Sequence, residues 1–107
     1  MDYHPDFFDA LSKAAKTYPS INNALTIFIT EKTKSPPGSL PRGMRDHKLS
    51  REWDGYNECH LKAGDALLIY TFKNSVVKLI TVFTHDELDK KPSGKIKSWT
   101  TQGYGPV

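Results

Sequence analysis

Residues 56–83, YNECHLKAGDALLIYTFKNSVVKLITVF, hold the pattern that decides the fold. They divide into three strand-like runs. Residues 56–61 alternate between polar and apolar, residues 66–72 are almost continuously apolar, and residues 76–83 are rich in β-branched side chains. Ala63-Gly64-Asp65 turns the first run into the second, and Lys73-Asn74-Ser75 forms a hairpin turn into the third. Short turns between consecutive runs imply an antiparallel meander.

Upstream the period changes from two to 3.6. Phe7, Phe8, Leu11, Ala14 and Ala15 recur at helical spacing, with Pro5 at a favoured first position and Asp6 and Asp9 suiting the positive helix end. Tyr18-Pro19 breaks that helix. Ser20 is placed to cap a second, whose apolar positions are Ile21, Leu25, Phe28 and Ile29, although Thr26, Ile27 and Thr30 favour a strand by propensity. Ser35-Pro36-Pro37-Gly38 ends it. The expected fold class is α+β: two N-terminal helices packed on a curved antiparallel sheet. A polar connector over 35–53 separates the two halves, and connectors of that length are usually functional or disordered.

The 107 residues suffice for one domain with one core, expected over residues 1–91, with 92–107 as a C-terminal extension carrying Trp99 and Tyr104. At 37% hydrophobic and 25% charged, the chain is of the globular class. No apolar run approaches the roughly 20 residues that cross a bilayer, and the N-terminus has no signal-peptide pattern. A single cysteine, Cys59, allows no internal disulfide and points to the cytoplasm. Charge is segregated. Residues 1–31 carry four acids against two lysines, residues 32–62 seven cations against four acids, and residues 90–107 four lysines without an acid. A basic middle and tail suit a polyanionic partner.

Strand alternation places Tyr56, Glu58 and His60 on one sheet face and Asn57, Cys59 and Leu61 on the other. His47 lies in the connector, Asp65 at the turn into the central strand, and His85 beyond the last strand. Histidine transfers protons near neutral pH because its ordinary pKa is about 6.5. Metal-free RNA cleavage needs a base for the 2′-hydroxyl, an acid for the leaving 5′-oxygen and cations for the charged phosphorane. Three histidines, neighbouring carboxylates and Arg/Lys supply those roles, while taken singly each histidine reads first as a surface or core hydrogen-bonding residue. Cys59 reads as a small buried hydrophobe. No metalloprotease, P-loop or nucleophile-elbow motif is present, and the spacing of the histidines requires no metal and no other cofactor.

The stretch from Arg45-Asp46-His47-Lys48-Leu49 through Trp53-Asp54-Gly55-Tyr56-Asn57-Glu58-Cys59-His60-Leu61 resembles the YafQ branch of the RelE toxin superfamily. Asp65, Leu67-Leu68-Ile69-Tyr70 and Thr84-His85-Asp86-Glu87-Leu88 continue the resemblance in family order. It implies a microbial-RNase fold with its active site on the open sheet face. It also implies a ribosome-dependent mRNA endonuclease acting on A-site mRNA and held inactive by a cognate antitoxin, in a hetero-oligomeric complex. On the same resemblance His47, Glu58, His60, Asp65 and His85 match the acid–base residues, with His85 the expected general acid and His47 and His60 the candidate bases or phosphate-binding groups. Arg42, Arg45, Lys48, Arg51 and Lys62 are the expected phosphate-neutralising cations. Glu58 stands where the family often has aspartate, Asn57 where it commonly has arginine, and Asp89 where many members have an aromatic residue. The turn from His60 to Asp65 is one residue longer. A non-catalytic module gripping RNA, ribosome or antitoxin is the alternative that Asn57 and Asp89 favour.

Overall fold

The computed structural model describes residues 1–34, 37–50, 53–62, 66–74 and 76–84. Strand β1 (Asp2–Tyr3) leads into helices α1 (Phe7–Thr17) and α2 (Ile21–Lys32). A 3₁₀ turn (Arg42–Met44) and strand β2 (His47–Lys48) lie in the connector. Strands β3 (Asn57–Lys62), β4 (Ala66–Lys73) and β5 (Val76–Thr84) follow. The sheet order is β1-β5-β4-β3-β2. The meander of β3, β4 and β5 is antiparallel as expected, but β1 joins β5 in parallel, so the five-stranded sheet is mixed.

The second helix settles the competition between propensity and periodicity. Ile21 and Phe28 are fully buried and Leu25 nearly so, because a 3.6-residue repeat lays all three on one stripe against the sheet. Burial of that stripe outweighs the small intrinsic cost of Thr26, Ile27 and Thr30 in a helix. Thr26 and Thr30 also return their hydroxyls to the carbonyls of Asn22 and Thr26. Ser20 stands at the N-cap but makes no side-chain cap bond, since its backbone is already helical at φ −65° and ψ −14°. After the helix the chain folds back, and the Gly38 N–H donates to the Glu31 carbonyl at 2.8 Å. A β-carbon at Gly38 would meet the Glu31 carboxylate, the free end of a flexible side chain that would have to swing aside.

The first helix starts two residues after Pro5. The His4 N–H donates to the Leu79 carbonyl at 2.7 Å, tying the segment to β5, and His4 Nδ1 accepts the Asp6 N–H at 3.1 Å. The buried His4 thus works as a turn-forming acceptor. Phe7 is fully buried, whereas Phe8, placed on the apolar stripe from sequence, is 52% exposed and stacks edge-on against Tyr3 with centroids 4.9 Å apart. Two adjacent helical residues point about 100° apart, and only Phe7 faces the sheet.

Two apolar clusters sandwich the sheet. The helix side holds Phe7, Ile21, Leu25 and Phe28 against Cys59, Leu61, Leu68, Tyr70, Leu79 and Val82. The opposite face holds Trp53, Tyr56, Ile69, Ile80 and Phe83, with Leu49 against them. Cys59 and Leu61 therefore fall on one face and Tyr56 on the other, as the alternation requires. A bulge between Ile69 and Tyr70 on the β4–β5 ladder preserves this division, because the extra residue lets Leu79 and Val82, three apart, share the helix side while Ile80 and Phe83 share the other.

Candidate active site

Strand β2 is short, yet its register is specific: His47 lies opposite Glu58, and Lys48 opposite Asn57. Glu58 in turn lies opposite Ile69, a member of the outer cluster, so Glu58 and His60 share the face that carries no helix. Directly opposed side chains on antiparallel strands stand about 5 Å apart, and neighbours at i and i+2 on one strand share a face. Both relationships converge on one carboxylate. His60 Nε2 lies 3.2 Å from Glu58 Oε1, and His47 Nε2 lies 3.6 Å from the same oxygen. The two imidazole centroids are 6.4 Å apart.

The three groups differ in their access to water. Glu58 is buried at 5% exposure, the His60 side chain is 14% exposed, and that of His47 is 48% exposed. His47 also has its tautomer defined. Its Nδ1 lies 2.5 Å from the Arg45 carbonyl, which can only accept, so Nδ1 carries a hydrogen. The proton that His47 gains or loses is consequently on Nε2, the nitrogen facing Glu58 and solvent. Arg45 adopts a left-handed conformation at φ 46°, which turns its carbonyl toward that ring.

Beside the cluster, Trp53 closes part of the outer face. It stacks edge-on with Tyr56 at 5.9 Å and with Phe83 at 5.8 Å between centroids. A turn in which the Tyr56 N–H donates to the Trp53 carbonyl holds it, and Gly55 supplies the required positive φ of 91°. The face implied to be open is thus partly roofed by an aromatic residue immediately before β3.

Of the other expected site residues, Asp65, His85 and Arg51 lie outside the described residues. Arg42 and Arg45 are exposed on and just after the 3₁₀ turn leading into His47. Lys62 is exposed at the end of β3, past a register shift that follows His60. Lys48 is also exposed, but strand alternation directs it to the face opposite His47, where it lines a small pocket with Asn57 and Phe72. Cys59 is fully buried, and burial, reinforced by Asp46 nearby, pushes its thiol well above the ordinary range. Among the described residues no group of three or more histidine, cysteine or acidic side chains is arranged to hold a metal ion. Likewise none of the helices described is long and apolar enough to cross a membrane.

Sequence reasoning missed one arrangement. Asp46, the neighbour of His47, accepts a hydrogen bond from the Tyr70 hydroxyl through Oδ1 and one of 2.7 Å from Lys32 Nζ through Oδ2. Lys32 Nζ also sits 5.6 Å from the ring centroids of both Tyr70 and Phe72. No local pattern signals this, because the three partners come from α2, the connector and β4.

The chain is similar to known proteins in sequence and fold. Residues 2–90 match the family described as the bacterial toxin of type II toxin–antitoxin systems, YafQ. A toxin named YafQ from Haemophilus influenzae is 48% identical over 33 residues, a match spanning 31% of this chain and only 31% of that relative's length. The crystal structure of YafQ from E. coli is similar with a TM-score of 0.63 at 24% identity, covering 81% of this chain and 93% of that one. A copper-bound mutant toxin from Helicobacter pylori matches with a TM-score of 0.62 at 25% identity, covering 81% and 94%. A chain of the YoeB–YefM complex from Staphylococcus aureus reaches 0.60 at 15% identity, covering 78% and 93%. Two helices on one face of a five-stranded mixed sheet define a protein of the RelE-like fold. The chain belongs to the YafQ family of type II toxin–antitoxin toxins.

Proposed function

We propose that this toxin is an endoribonuclease that cuts ribosome-bound mRNA by metal-independent acid–base chemistry and is held inactive by a cognate antitoxin in a hetero-oligomeric complex. One observation carries the reading: two imidazoles of different exposure present Nε2 to a single buried carboxylate oxygen at 3.2 and 3.6 Å. A carboxylate so placed orients both rings and stabilises the imidazolium that forms when either takes a proton. His47 is the more exposed ring and has Nδ1–H committed to the Arg45 carbonyl, which leaves Nε2 to accept the proton of a 2′-hydroxyl. The 2′-oxygen then attacks phosphorus, the P–O5′ bond breaks, and the leaving 5′-oxygen takes a proton from a general acid. His85 is assigned that role on the family resemblance. The products are a 2′,3′-cyclic phosphate and a 5′-hydroxyl end. Arg42 and Arg45, exposed on the segment leading into His47, are suited to neutralise the phosphates on either side.

The antitoxin partner is inferred from family membership and from relatives solved as DinJ–YafQ and YoeB–YefM complexes. The non-catalytic alternative rests on Asn57, where an arginine clamp is common, and on Asp89, which lies outside the described residues. In the register observed, Asn57 projects from the face opposite Glu58, so its identity takes no cation from the histidine cluster. Primer extension on ribosome-bound mRNA tests the proposal. Wild-type toxin should create new mRNA ends, and a folded His47→Ala or His60→Ala protein should do so about 10²–10⁴-fold more slowly. Intact mRNA in the presence of folded wild-type toxin would favour the binding module instead.

A further inference from the structure

We infer that Asp46 is a positioning residue that places His47 in the site from the opposite side of the sheet, an inference that rests on the proposed role of His47. Strand β2 has only two residues and pairs with β3 at two positions, too short a ladder to set one side chain firmly. Asp46 supplies the missing restraint. Both of its carboxylate oxygens are occupied, Oδ1 by the Tyr70 hydroxyl and Oδ2 by Lys32 Nζ at 2.7 Å. These partners are themselves held. Tyr70 is buried on the helix side of β4 and packs edge-on against Phe28 at 4.8 Å, while Lys32 closes the last turn of α2 over the Tyr70 and Phe72 rings. The Lys32 and Asp46 side chains are 15% and 25% exposed, so the pair is shielded more than an ordinary surface ion pair.

The consequence for His47 follows from the backbone. Consecutive residues of an extended chain point to opposite faces. With Asp46 drawn toward Tyr70 on the helix side, His47 must project toward Glu58 on the other. Arg45, in its left-handed turn on the other side of Asp46, then offers its carbonyl to His47 Nδ1. A single carboxylate therefore sets both the location and the tautomer of the histidine beside it. Misplacement of a reacting group by about 1 Å can cost about a hundredfold in rate.

The test combines a double-mutant cycle with histidine NMR. Asp46→Asn keeps the size of the side chain but removes the charge that holds Lys32. It should slow cleavage of ribosome-bound mRNA about tenfold to a hundredfold through kcat and move the His47 imidazole resonances while the protein stays folded. In the His47→Ala background the same substitution should cost nothing further, because the residue it positions is gone. Lys32→Met should reproduce part of the loss, and Lys32→Arg should restore it. An equal loss in both backgrounds, or unmoved His47 resonances in Asp46→Asn, would overturn the inference. The NMR arm needs no substrate: if wild-type toxin fails to cut, the proposed function falls while the positioning of His47 is still measured.

Discussion

His47 and His60 offer the same ring nitrogen, Nε2, to the same oxygen of Glu58, at 3.6 and 3.2 Å. One histidine reaches it across the sheet from β2, and the other along β3 from two residues away. Strand β3 carries both His60 and Glu58, whereas β2 alone would supply a histidine with no defined partner. Glu58, buried between them, couples the two.

Replacing Glu58 separates orientation from charge. Glu58→Gln keeps the shape but removes the stabilisation of an imidazolium, and cleavage is expected to fall by about 10²–10⁴. A single-turnover assay with circular dichroism alongside checks this, and wild-type rates in a folded Glu58→Gln protein would remove the carboxylate from the chemistry.

Tyr70 makes stability depend on pH at the alkaline end. Burial, with its hydrogen bond to Asp46, pushes the hydroxyl far above the ordinary value near 10. The native state therefore keeps a proton that the unfolded chain releases near pH 10. Stability from this source is complete below about pH 10 and declines as pH rises past it. In an absorbance titration Tyr70 should ionise only as the protein unfolds. Tyr70→Phe should lose about 1–3 kcal/mol near neutral pH and show a shallower alkaline decline.

Cys59 should be inert in the native protein. Its thiol is fully buried and held in the protonated form, whereas only a thiolate reacts readily. Alkylation by iodoacetamide at neutral pH should proceed only at the rate of opening and accelerate with denaturant. Rapid labelling of folded protein would contradict the burial.

Trp53 should matter to stability as much as to the site. At 7% exposure, stacked on Tyr56 and Phe83, it covers the outer apolar cluster. Trp53→Ala is expected to cost about 3–5 kcal/mol, read as a lower urea midpoint with an unchanged slope. A loss below about 1 kcal/mol would mean that the outer cluster holds without its roof.

Local chemistry was enough to define much of this protein. The alternation in residues 56–61 put Glu58 and His60 on one face, the continuous apolar run of β4 marked a strand, and the spacing of Ile21, Leu25 and Phe28 made a helix despite contrary propensities. Periodic burial can be read from one segment at a time. What a segment meets across the fold cannot. The two-residue β2 is too short to show a period, β1 pairs with β5 from the far end of the described chain, and Lys48 changes faces only through its register with Asn57. His47 was therefore a histidine in a polar connector until pairing set it opposite Glu58. Asp46 was an unremarkable acid until Lys32 and Tyr70 came to it. The sequence by itself determined which residues had the chemistry; the tertiary structure decided which met, because strand register and side-chain packing join positions that chain order leaves apart.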